Sequence, residues 1–370
     1  MDAFFASVEL LRYPQLRGQP VVVGGRRADA PVEQADGSLA FARLGDYVGR
    51  GVITTSTYEA RAQGVFSGMG LMKAARLAPD AVLLPANFDA YRDTSRRFKA
   101  AVATIAPKIE DRGIDEIYID LTDLPDDSLS LARRIKQAVF AATGLTCSIG
   151  IAPNKLLAKI CSDLQKPDGI TLLSAADVPT RIWPLPARKI NGIGPKAAER
   201  LDRLGIHSIG ELAATAPALL VRHFGQSMGR WLHRVAQGID ERPLVTESVP
   251  KSVSRETTFE RDLHARDDRS ELSEAFTALC LRVADDLRRK GYACHTIGIK
   301  LRYADFQTVT RDLTLPDPLT DGPAIRRAAG ECLKRVPLSQ RIRLLGVRAG
   351  GLLPLSEITS HRPVQAELPF

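Results

Sequence analysis

Cysteine is scarce in this chain, and where it occurs it forms no pattern. The five residues Cys147, Cys161, Cys280, Cys294 and Cys332 are an odd number, include no Cys-x-x-Cys pair and have no clustered histidines. A structural zinc site and a disulfide framework are both excluded, and reduced thiols are expected. No apolar run approaches the eighteen or so residues needed to cross a bilayer, and the opening MDAFFASVEL carries acids where a secretory leader carries Lys or Arg. A cytoplasmic protein without a membrane partner is expected. What the chain does have is length, apolar content and basic charge. Its 370 residues are 44% hydrophobic and 25% charged, enough for more than one core and incompatible with disorder. The 51 Lys and Arg against 43 Asp and Glu leave a formal charge of +8, which favours a polyanionic partner without identifying it.

Periodicity orders the chain into units. Helical spacing covers 88–105, strand-like runs follow in KIEDRG and EIYIDLT around Gly113-Ile114-Asp115, and a helix carries Leu129, Ala132, Ile135, Val139 and Ala142 on one stripe. The strand TCSIGIA and a helix from Asn154 to Leu164 complete an αββαβα order, a split βαβ domain short of one leading strand. Residues 251–349 give the complete version: SVSRETTF, a helix over 270–289, HTIGIKLRY, QTVTRDLTL, a helix over 323–335 and RIRLLGV. Between the two, 188–214 holds two short helical runs with glycine turns, and 237–250 is linker-like. Residues 11–86 are less regular, with an inserted surface loop over 26–50, and the terminal SHRPVQAELPF reads as an unfolded tail.

The candidate chemistry lies at the turns. Asp115 and Glu116 are adjacent carboxylates at a strand start. Alone, such a pair is most simply a solvated turn; at the edge of a buried sheet it is also a ligand pair for a hard cation such as Mg²⁺. A two-metal phosphoryl-transfer site calls for a third acid from a neighbouring strand. In INGIGPKAAERL, Gly192 and Gly194 precede a helix whose N-terminal amides can approach a phosphate, and Arg188, Lys189, Lys196, Arg200 and Arg203 surround it. In HTIGIKLRY, Ile297, Ile299, Leu301 and Tyr303 alternate with Thr296, Gly298, Lys300 and Arg302, giving one apolar and one partly basic face. Each motif has a plainer reading as a turn or a solvated surface.

Taken together, MDAFFASVE, TTSTYEAR, GIDEIYIDLT, GIAPNKLLAKICSDLQKPDGI and INGIGPKAAERL resemble, in order and over nearly the whole chain, the Y-family translesion DNA polymerases. The resemblance implies an α+β multidomain, right-hand-like fold. Its parts are a ferredoxin-like palm (1–10 and 87–173), fingers (11–86), a helix-hairpin-helix thumb (174–240), a linker (241–250), a ferredoxin-like little finger (251–350) and a tail (351–370). It implies that Asp115 and Glu116 bind two catalytic Mg²⁺ ions and that Phe5 is the steric gate against a ribose 2′-OH. Tyr58, Arg61 and Lys166 would contact the incoming deoxynucleoside triphosphate. Gly192, Gly194, Lys196, Lys300 and Arg302 would hold primer–template DNA through phosphates. Gln365, Leu368 and Phe370 resemble the peptide by which bacterial polymerases dock on the sliding clamp, and a monomer is implied.

One departure bears on activity. The family's opening strand ends in Asp-x-Asp, and its first acid would fall one position before Met1. Asp2 lies two residues on, displaced by about 6.6 Å at strand rise, too far to replace that acid. Two expectations follow: a native start upstream of Met1 with an active, low-fidelity enzyme, or a catalytically silent adaptor that binds DNA and clamp.

Overall fold

The computed structural model describes residues 1–25 and 28–359, and they divide into two compact units, Met1–Glu247 and Ser248 onward. No described helix is long and apolar enough to cross a membrane.

The first unit begins with α1 (Phe4–Arg12), whose inner face buries Phe4, Ala6, Val8 and Glu9. The irregular stretch that follows contains a sheet that periodicity did not reveal. Its strands are β1 (Val21–Gly24), β4 (Ile53–Ser56) and β5 (Val82–Leu84), set in the order β4-β1-β5. β1 is buried at all four residues, so no alternation marks it. Within the expected loop over 26–50, β2 (Val32–Glu33) and β3 (Leu39–Ala40) pair as a small hairpin. Helices α2 (Tyr58–Ala62) and α3 (Leu71–Leu77) complete this region, and the Thr57 side chain caps the former through the Ala60 amide.

α4 (Phe88–Ala103) and α5 (Ser128–Thr143) pack together, the second capped by Asp127 and ended by Gly144 in the left-handed region. Beside them lie two separate sheets of two strands each. One pairs β6 (Ile109–Asp111) with β7 (Ile117–Ile119), and the other pairs β8 (Ile149–Ile151) with β9 (Ile170–Leu172). No strand of the described residues joins them. The chain enters at this point instead: the Met1 amino group donates to the Asp115 carbonyl at 2.9 Å, and the Asp2 amide donates to the Thr146 carbonyl at 3.2 Å. α6 (Lys155–Leu164) packs on β8, buries Leu156, Leu157, Ile160 and Cys161, and turns Lys155, Lys159 and Asp163 to its other side at helical spacing. Its buried face shares a core with α7 (Pro195–Asp202), α8 (Ile209–Ala214), α9 (Pro217–Phe224) and α10 (Gln226–Ala236).

The second unit is one antiparallel sheet backed by two helices. β10 (Ser252–Leu263), α11 (Arg269–Lys290), β11 (Tyr292–Tyr303), β12 (Thr308–Leu319), α12 (Gly322–Leu333) and β13 (Ile342–Pro354) follow in sequence, with sheet order β10-β13-β11-β12. Ile297, Ile299, Leu301 and Tyr303 point into its core, as their alternation requires. Cys280, Cys294 and Cys332 lie in that core too, and burial pushes the first two thiols up to about 11. All five cysteines are buried and free.

Candidate active site

Four of the residues singled out in the sequence meet at one place. Phe5, Arg61, Asp115 and Lys166 line a cavity of about 230 Å³, together with Met1, Thr54, Thr55 and Ser67. Asp115 and Lys166 also line a second cavity of about 670 Å³ that runs between β7 and β8 and carries Glu116 and Lys159 on its wall.

Each side chain is set by its element. Phe5, on the first turn of α1, stacks on Tyr91 at 4.4 Å between centroids and meets Phe88 edge-on at 5.9 Å, so the ring is wedged and cannot swing freely. Tyr91 is in turn held by Glu9, its hydroxyl donating to Oε1 at 2.6 Å. On α2, the Arg61 guanidinium lies over the Tyr58 ring at 4.8 Å, and its Nε donates to the Ser56 carbonyl at 3.1 Å. The Tyr58 hydroxyl is buried. Burial, and then the charge of Asp2, push this phenol above its ordinary value.

The acids divide. Asp115 opens onto both cavities, whereas Glu116 is paired with Lys159 at 2.6 Å. Burial works to lower the Lys159 ammonium, but the bond to Glu116 and the charge of Asp163 outweigh it and raise the group. Lys166 pairs with Asp163 at 2.8 Å. Burial would raise that carboxyl, yet Lys166, Lys159 and Lys189 together hold it below the usual range. The Asp2 carboxylate is occupied elsewhere, accepting from Ser148 Oγ at 2.7 Å and from the Asp168 amide at 2.9 Å. Asp2 is not among the residues lining the small cavity. Carboxylate oxygens on a solvent-accessible wall fit a hard divalent cation that keeps several waters. Among the described residues no three His, Cys, Asp or Glu side chains gather into a ligand group.

Gly192 and Gly194 differ in kind. Gly192 has φ +112°, and a Cβ there would meet the Trp231 ring at 2.7 Å, so glycine is required by both backbone and neighbour. A Cβ on Gly194 would meet nothing within 4 Å, which leaves open space before the first turn of α7, where Lys196 is exposed. In the second unit Lys300 and Arg302 share one sheet face but are partly engaged. Lys300 pairs with Glu256 at 2.9 Å, and the Arg302 Nε donates to Thr308 at 3.0 Å. Arg348, which the sequence reading did not single out, pairs with Asp312 at 2.9 Å in that sheet. Gln365, Leu368 and Phe370 lie outside the described residues.

Sequence reasoning missed Lys159 and Asp163, although their spacing with Lys155 along KLLAKICSDL already marked one polar stripe on an amphipathic helix. It also missed Glu110, a buried carboxylate that accepts from Lys155 at 2.7 Å and from the Val245 amide at 2.9 Å. Nothing in KIEDRG sets Glu110 apart from its charged neighbours.

Comparison with known proteins bears on the whole chain. The family model described as impB/mucB/samB matches residues 1–163, and that family's C-terminal domain matches 250–368. A helix-hairpin-helix motif described for DNA polymerase eta and Rev1 matches 185–239. Similar proteins include the DNA polymerase IV of Alkalilimnicola ehrlichii, 38% identical over 96% of this chain and 94% of its own. That of Methanoculleus marisnigri is 40% identical over 94% and 91% respectively. A solved Y-family DNA polymerase chimera superposes with a TM-score of 0.78 at 26% identity, covering 95% of this chain and 97% of its own.

Proposed function

The chain belongs to the impB/mucB/samB family of Y-family DNA polymerases, and on that premise we infer that it is a template-directed DNA polymerase of the DNA polymerase IV type, acting in translesion synthesis. The reaction is attack of a primer 3′-OH on the α-phosphate of a deoxynucleoside triphosphate, with pyrophosphate leaving. Such chemistry rests on positioning and charge stabilisation more than on covalent help from the protein.

The observation that carries this reading at the level of residues is the convergence of Phe5, Arg61, Asp115 and Lys166, drawn from four distant segments, on one small cavity. Arg61 and Lys166 supply a fork and a point charge for phosphate oxygens. Tyr58 holds the guanidinium over its ring, and the family resemblance places it with Arg61 against the triphosphate. Phe5 is the gate beside the sugar, its ring braced by Tyr91 and Phe88. Asp115 and Glu116 would hold Mg²⁺, which would supply charge stabilisation for the transferring phosphoryl group. Glu116, now paired with Lys159, would have to give up that pair to take part.

Residues 1–10 and 87–173 act as palm, 11–86 as fingers, 174–240 as thumb and 251–350 as little finger. Primer–template DNA is held through its backbone by Gly192, Gly194, Lys196, Lys300 and Arg302, and affinity falls steeply with salt. The segment with Gln365, Leu368 and Phe370 docks on a sliding clamp, and the protein works as a cytoplasmic monomer. The test is primer extension on a template–primer duplex with Mg²⁺ and four deoxynucleotides, comparing this chain with Asp115→Ala/Glu116→Ala. Extension that disappears in the variant supports the reading. Salt-sensitive DNA binding without any extension by either chain favours the silent adaptor.

A further inference from the structure

The turn that presents Lys166 is tied down from two sides by residues to which no role has been given. Between α6 and β9 the chain makes the turn Gln165-Lys166-Pro167-Asp168-Gly169, with Asp168 at φ +61°, in the left-handed region that a side chain adopts at a cost. Gly169 packs so closely that a Cβ would sit 2.1 Å from the Gln165 carbonyl. On one side the buried Asp2 carboxylate accepts from the Asp168 amide at 2.9 Å while its other oxygen takes the Ser148 hydroxyl at 2.7 Å. On the other, Lys136 of α5 donates to the Asp168 carbonyl at 2.8 Å, to the Asp168 carboxylate and to the Cys147 carbonyl. One residue of the turn therefore has its amide, carbonyl and side chain all fixed by charged groups from α5 and from the start of the chain.

We propose that Asp2 and Lys136 are positioning residues that hold the 165–169 turn so that the Lys166 ammonium stays at the triphosphate end of the small cavity. The inference rests on the reading of Lys166 as a triphosphate contact. Charge-assisted hydrogen bonds to a strained backbone over-determine its conformation, and loss of one lets the turn relax toward unstrained φ values and carries Lys166 away. Asp2 thereby gains a function that is not metal binding. Its carboxylate is spent on the nucleotide-binding turn.

The test measures deoxynucleotide affinity without chemistry. The full chain, bound to a template–primer duplex ended in a dideoxynucleotide, is titrated with the deoxynucleoside triphosphate complementary to the template, and duplex affinity is measured in parallel. Lys136→Met and Asp2→Asn are expected to weaken nucleotide binding about fivefold, with duplex affinity within about twofold of the parent, the size expected for loss of one charge-assisted bond acting through a neighbour. Lys136→Arg, which keeps the donor, restores affinity. In Lys136→Met/Lys166→Ala the effect is no larger than in Lys166→Ala alone, because both act through one ammonium. Nucleotide affinity unchanged in Lys136→Met and Asp2→Asn, or effects that multiply with Lys166→Ala, overturns the proposal while leaving the Lys166 reading intact. Parental nucleotide affinity in Lys166→Ala overturns the reading of Lys166 itself. Ser148→Ala, which removes only one partner of Asp2, replaces Asp2→Asn if that variant does not fold.

Discussion

The sheet of the second unit and the paired strands beside the site of the first spend their hydrogen bonds differently. In the second unit four strands of 12 or 13 residues form one continuous sheet, and side chains such as Ile297, Leu301 and Leu263 are sealed against α11 and α12. In the first unit β6 with β7, and β8 with β9, are three-residue strands in separate pairs, and all three residues of β7 and of β8 remain only half-buried. Stability is expected to concentrate where the sheet is continuous. Chemistry gathers where it is interrupted, because a cavity wall needs side chains and backbone that are not already satisfied by a neighbouring strand.

Substitutions in the two regions sharpen this contrast. Asp115→Ala/Glu116→Ala has the largest expected effect, a loss of extension of about a thousandfold or more, with the melting profile nearly unchanged. Leu301→Ala, in the sealed sheet, is expected to cost about 3 kcal/mol of stability by denaturant titration, against about 1 kcal/mol for Ile119→Ala on half-buried β7. Equal costs would erase the distinction between the regions.

Glu110 gives a pH test confined to the first unit. Burial would raise its carboxyl, but Lys155 and the Val245 amide hold it below its ordinary value of 4.5. A carboxyl lowered in the fold contributes stability above 4.5 and loses it as pH falls below that value, since the unfolded chain takes up the proton first. Unfolding followed from pH 7 to pH 3 is expected to show a smaller acid-dependent loss of stability in Glu110→Gln, which is also less stable at neutral pH. The same slope in both chains would mean the contact carries no linkage.

Smaller still, Arg61→Ala is expected to weaken deoxynucleotide binding about tenfold with duplex affinity retained, read by titration on a dideoxy-terminated primer. On the second unit's face, Glu256→Gln frees Lys300 and is expected to raise duplex affinity about threefold at low salt and negligibly at high salt.

How much of this was legible in the sequence depended on whether the signal was local. α4, α5 and α6 are periodic over ten or more residues, and the strands of the second unit alternate, so their existence followed from pattern alone. β9 has three residues, and β1 pairs in parallel with β5 some sixty residues on; neither leaves a local trace. α9 and α10 were passed over, although α10 runs for 11 residues with Leu232 and Val235 on its buried side. For the site, Asp115, Phe5, Arg61 and Lys166 were legible through motif order, and their meeting at one cavity is a fact of tertiary structure. The ion pairs that tune them, Glu116 with Lys159 and Lys166 with Asp163, depend on which face of α6 looks toward β7 and on how the turn after α6 folds back.

The central claim is that the small cavity beside Phe5 receives the sugar and triphosphate of an incoming deoxynucleotide. Single-nucleotide extension with matched deoxy- and ribonucleoside triphosphates tests it most directly, in the parent and in Phe5→Ala. A preference for the deoxynucleotide that falls by about a hundredfold in the variant, through gained ribonucleotide use, is the predicted result. A preference left unchanged would contradict the placement of the nucleotide and the reading of the site built on it.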